Sequence, residues 1–117
     1  MARKRRRPAM TDAFDRGHVV WHPSRFKDGG RPYLVLSDES HPFHGEEYIV
    51  AGVTTTEREE AVVLTPDDWT VGGLPKVSYV SPWFVATLKH VGIDGGVGAV
   101  SQDVVEEVGE EVAGYVS

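Results

Sequence analysis

Histidines are the groups in this chain that can exchange a proton near neutral pH, and their spacing limits what they can do. His22 stands in the segment before Arg31, where an imidazole of ordinary pKa near 6.5 can act as a general base. His41 and His44 share one loop and offer two nitrogen ligands. No third histidine or carboxylate stands at recognisable ligand spacing, so the pair reads better as solvated loop residues than as a metal site. Trp83 and Phe84 are adjacent aromatics. Exposed, they can stack on unpaired bases at about 1–3 kcal/mol per base; packed, they are core or dimer contacts. Arg3, Lys4, Arg5, Arg6 and Arg7 form a like-charge block. Such a block reads as a nucleic-acid tether, as a solvated tail, or as sequence upstream of a start at Met10.

Short β-type runs must position these groups. The expected strands are 18–21, 32–37, 48–54, 61–64, 77–80 and 97–100, separated by loops over 23–30, 38–46 and 66–75. Residues 32–37 (PYLVLS) are nearly continuous in apolar side chains, which marks a central strand covered on both faces. From Ser101 the period changes. Val104, Val105, Val108, Val112 and Val116 fall on one helical stripe, with Glu106, Glu107, Glu110 and Glu111 largely opposite. Ser101 is the expected N-cap, and Gly109 with the valines weakens the helix, so packing must hold it. Strands followed by one terminal helix imply a mainly β fold with α, a small barrel or open sheet covered on one side. Trp21 and Trp69 are expected to be packing residues.

At 117 residues the chain is expected to be one domain, 16–117, preceded by a basic arm over 1–15. The arm has no apolar stretch behind it and does not read as a secretory signal. No apolar run approaches the roughly 20 residues that span a bilayer, so no membrane partner and a cytoplasmic location are expected. With no cysteine, disulfides and thiolate metal sites are excluded. Five of the 12 basic residues lie in the first seven positions, so from Met10 onward 7 basic residues face 18 acidic ones, a balance of −11. That acidic, lysine-poor body suggests a halophilic protein. At about 1 M salt the Debye length is roughly 3 Å, so the acidic surface argues only weakly against a polyanionic partner.

The order of features resembles the MazF/PemK toxins, the growth inhibitors of type II toxin–antitoxin systems. Arg16-Gly17-His18-Val19-Val20-Trp21 is similar to the family's opening strand, and Gly30-Arg31-Pro32 followed by Tyr33-Leu34-Val35-Leu36-Ser37 to its glycine loop, Arg-Pro and hydrophobic strand. Ile49-Val50-Ala51-Gly52-Val53-Thr54 matches the aliphatic strand ending in threonine. Ser78-Tyr79-Val80, Val85-Ala86-Thr87-Leu88 and the segment from Ser101 follow in the family's order. The resemblance spans about residues 16–112, and a haloarchaeal member would fit the composition. It implies a small SH3-like (CcdB/PemK-type) β-barrel with a C-terminal helix. It also implies a homodimer, single-stranded RNA bound across the dimer face, and a cognate antitoxin on that same face. Promoter DNA would be bound by the toxin–antitoxin complex.

The activity implied is metal-independent endoribonuclease cleavage, with no cofactor, in which the ribose 2′-hydroxyl turns onto the adjacent phosphate. Arg31 and Thr54 match the family's catalytic arginine and second catalytic position. A guanidinium stays charged and grips two phosphate oxygens at once, and a threonine hydroxyl can hydrogen-bond a phosphate oxygen. Taken alone, Arg31 reads as well as a surface arginine paired with Asp28, and Thr54 as an ordinary strand-end threonine. His22, Arg25, Lys27, Thr55 and Trp83 would line the RNA path. The chain departs from the pattern at Ser81-Pro82-Trp83-Phe84 and Ala86, where relatives carry charged residues. That departure keeps a rival open: a non-catalytic module of the same fold that binds nucleic acid or protein.

Overall fold

The computed structural model describes residues 13–24 and 27–117, and only the backbone at 24, 27 and 28. In the described part, seven strands form one antiparallel sheet, curled into a nearly closed barrel with a single C-terminal helix. The strands are β1 (His18–Ser24), β2 (Lys27–Val35), β3 (Glu47–Thr54), β4 (Val62–Leu64), β5 (Trp69–Gly72), β6 (Ser78–Lys89) and β7 (Gly95–Val100), followed by α1 (Gln102–Val116). Their spatial order is β4-β6-β3-β2-β1-β7-β5, which puts β2 in the middle, as its apolar run predicts. Consecutive residues of β2 enter different cores. Leu34 joins Val19, Ala51, Val53, Val80 and the helix valines, whereas Val35 joins Val20, Tyr48, Val50 and Leu88. Apolar layers on both faces explain why the strand has no polar alternation.

Three expectations are revised. The segment 23–30 is largely strand, because β1 and β2 continue as a hairpin to the Ser24–Lys27 pair. Within the expected loop 66–75, residues 69–72 form edge strand β5 on β7. The short strand expected at 77–80 runs on to Lys89, past Pro82, because the sheet bulges there. Ser101 holds the N-cap position, but its side chain makes no capping hydrogen bond. The helix buries Val104, Val105 and Val108 against β6 and β4, while Val112 is half-buried and Val116 is 80% exposed.

The second core extends to the start of the described chain. The Tyr48 hydroxyl accepts the Phe14 backbone N–H at 3.1 Å and bonds His90 Nδ1 at 2.8 Å. Burial pushes the Tyr48 phenol above its ordinary value. His44 is 8% exposed, edge-on to the Tyr48 ring at 5.6 Å, and its Nδ1 lacks a hydrogen-bond partner. It is therefore a core residue rather than a solvated one. His41 is a loop residue that accepts the Phe43 N–H at 2.9 Å. Among the described residues no three His, Cys, Asp or Glu side chains gather as a metal site would require.

Candidate active site

Arg31 owes its position to Gly30. That glycine has φ +83°, and a Cβ there would fall 2.2 Å from the His22 carbonyl oxygen, so a side chain is excluded where the hairpin strands close up. Beyond it, Tyr33 pairs with Gly52 and Leu34 with Ala51. The same register continued by two residues sets Arg31 opposite Thr54, on the face away from the helix-covered core. In the sequence they are 23 positions apart.

A bulge in β6 builds the wall beside them. Val85 pairs with Ala51, but Gly52 pairs with Ser81, so Pro82, Trp83 and Phe84 have no partner in β3. Pro82, which could not donate to a ladder, is fully buried, while Trp83 and Phe84 are 43% and 37% exposed. The Phe84 ring lies flat enough on Gly52 that a Cβ there would meet it at 2.6 Å. It is edge-on to Tyr33 at 6.1 Å, and the Arg31 guanidinium carbon sits 5.1 Å from its centroid. This cation–π contact restrains Arg31 without neutralising its charge. Among the described residues no carboxylate pairs with Arg31. The Thr54 Oγ1 accepts the Thr56 N–H at 3.1 Å, which leaves its own proton available to a ligand oxygen.

Arg31 and Thr54 line two adjoining pockets. One, of about 250 Å³, lies between the β1–β2 hairpin and the segment before β6, and adds Trp21, Thr55, Lys76 and Ser78. The other, of about 240 Å³, adds Thr56, Arg58, Ser81, Trp83 and Phe84. The predicted residues Arg31, Thr54, Thr55 and Trp83 thus come together. His22 does not line either pocket. Its Nδ1 bonds the Pro23 carbonyl at 2.7 Å, it is edge-on to Tyr33 at 6.2 Å, and Nε2 faces Gly92. Arg25 and the Lys27 and Asp28 side chains lie outside the described residues. Trp21, expected only to pack, walls the first pocket and donates its indole N–H to the Gly29 carbonyl.

Sequence reasoning missed Arg58 and Lys76. Arg58 was hidden in the charged run 57–60, and Lys76 fell between the expected loop 66–75 and the strand 77–80. Their rarity was the available signal. Of the five body cations with described side chains, three (Arg31, Arg58 and Lys76) line these pockets. Lys89 pairs with Glu47 at 3.4 Å. Arg16 lies near Asp38, whose carboxyl the Ser40 side chain and backbone N–H hold below its ordinary value. An acidic body that gathers its few cations at one groove can seat an anion there.

No protein-family model and no curated protein matches the chain in sequence. Solved structures match it in shape. A mycobacterial endoribonuclease in complex with its cognate antitoxin superimposes with TM-score 0.68 at 21% identity, over 88% of this chain and 92% of that one. The MazE–MazF structure from Deinococcus radiodurans gives 0.69 at 22% identity, over 90% and 96%. A MazF toxin of Mycobacterium tuberculosis gives 0.64 at 22%, over 85% and 94%. The chain has the fold of MazF toxins, along nearly its whole described length.

Proposed function

We propose that this chain is a MazF-like toxin: a metal-independent endoribonuclease that cleaves single-stranded RNA. One observation carries the reading: Arg31 and Thr54, far apart in sequence, line the same open groove in company with two further cations. In the proposed step the ribose 2′-oxygen attacks the adjacent phosphorus, the bond from phosphorus to the 5′-oxygen breaks, and that oxygen takes the proton the 2′-hydroxyl loses. Charge builds on the phosphate oxygens. Arg31 would bind the two non-bridging ones, and the Thr54 hydroxyl, whose oxygen already accepts from Thr56, would add a second donor to one of them. Proton transfer is not assigned to Arg31, because a guanidinium keeps its proton in proteins, nor to His22, which points elsewhere.

The partners follow from the same reading. Two of the similar structures pair a toxin with an antitoxin, which supports a cognate antitoxin seated on this groove. A homodimer would bring two grooves together, and the toxin–antitoxin complex would bind its promoter DNA. The acidic body suits a cytoplasm of concentrated salt.

The test is incubation of the purified chain with a long RNA in high salt, beside Arg31→Ala. Reproducible cuts are expected, reduced at least about 10²–10³-fold in the variant, the usual loss for one preorganised charge-stabilising donor. RNA bound but left whole by the unaltered protein would mark a binding module of the same fold instead.

A further inference from the structure

Next to the groove lies an open depression that the cleavage step does not use. It measures about 440 Å³ and is lined by Arg58, Glu60, Trp83 and Tyr115. Arg58 and Trp83 also line the Arg31–Thr54 groove, so the two spaces adjoin. The lining comes from three elements: the turn before β4, the β6 bulge and the end of α1. Trp83 and Tyr115 are 43% and 51% exposed. Tyr115 continues the face of Val104 and Val108 two turns beyond Val108, past the part of the helix that is buried. Among the described residues neither Arg58 nor Glu60 is engaged in an ion pair.

We infer that this depression is a base-specific subsite that takes an unpaired guanine of the RNA strand, one neighbour of the nucleotide being cut. The inference rests on the nuclease reading for its substrate class. Trp83 supplies a flat face for stacking, which is tolerant of sequence because every base has one. Arg58, shared with the groove, holds the connecting phosphate. Discrimination falls to Glu60. An ionised carboxylate is a pure acceptor with two oxygens. Guanine alone presents two adjacent donors, N1–H and the N2 amino group, on its pairing edge. Cytosine and adenine set one amino group beside a repelling ring nitrogen, and uracil sets its one N–H between two carbonyls. Single-stranded RNA is read on such exposed edges.

The test uses the full chain and 2′-O-methyl oligouridylates, which cannot be cleaved, carrying one guanine, adenine or cytosine at each position in turn. Binding is followed by tryptophan fluorescence. Guanine at one position is expected to tighten binding about 10-fold over the other bases, in keeping with a bidentate base contact. Glu60→Gln should abolish that preference, because an amide's paired donor and acceptor match the amino group and ring nitrogen of adenine and of cytosine alike. Trp83→Ala should weaken all four about equally. Four bases binding alike, or a guanine preference that survives Glu60→Gln, overturns the inference. Cut sites in a randomised RNA pool separate the two readings. Cuts lacking a guanine at a fixed offset sink the subsite and leave the nuclease standing. Guanine-selective binding without cuts does the reverse.

Discussion

At the scale of single residues, Thr54 offers the sharper test of the proposed chemistry. Its oxygen already accepts from Thr56, so the hydroxyl is left to act as a donor toward a ligand. Thr54→Val keeps the shape and removes that donor. Single-turnover cleavage is expected to fall on the order of 10–100-fold, while Thr54→Ser retains most of the rate, because a hydrogen bond to a charged oxygen is worth roughly 1.5–3 kcal/mol. The urea midpoint should barely move, since Thr56 is exposed and water can replace the lost partner. A Val variant that cleaves like the parent would remove Thr54 from the mechanism. Arg31 was legible at this scale because an arginine before proline and a hydrophobic strand is a recognisable arrangement. Arg58 and Lys76 were not, because nothing in a charged turn says which charge faces a groove.

Among the elements, β6 does most to shape the site. Its bulge was illegible in sequence, where a proline followed by two aromatics looked like the end of a strand. In the fold, Pro82 occupies a stretch that needs no ladder hydrogen bond, and the strand resumes at Val85. The bulge seats Phe84 on Gly52, which was read only as one position in an aliphatic strand. Gly52→Ala is therefore expected to push the ring off Arg31 and to cost about 1–3 kcal/mol of stability, as overpacking does. Denaturant melts would measure the loss, and an unchanged midpoint would show that the ring moves aside freely. Strand β5 was missed for a different reason. An edge strand of half-exposed and exposed residues carries no strong apolar alternation, and its pairing with β7 is a tertiary fact.

For the whole molecule, the acidic body and the cationic groove should respond to salt in opposite directions. Seven basic residues against eighteen acidic ones from Met10 onward leave a surface that repels itself. Screening relieves that repulsion, so the urea midpoint is expected to rise between 0.1 and 1 M salt, given a Debye length that falls from about 10 to 3 Å. RNA affinity should fall over the same range. Three groove cations imply a slope of log K against log salt of about −2, from roughly −0.7 per phosphate neutralised on a single strand. A slope near zero would mean that Arg31, Arg58 and Lys76 do not hold the backbone together.

The amino-acid sequence by itself determined the order of most β runs, the central place of 32–37 and the terminal valine-striped helix, whereas Arg31 and Thr54 became joint candidates only through the family resemblance. Those properties are local: they follow from side-chain periodicity and from short patterns of neighbours. Only the tertiary structure decided that Arg31 and Thr54 share a face, that His22 turns away from them, and that Arg58, Lys76, Glu60 and Tyr115 gather around Trp83. These depend on the β2–β3 register, one bulge in β6 and the docking of α1. All three are set by packing between segments distant in the chain, which no window along the sequence contains.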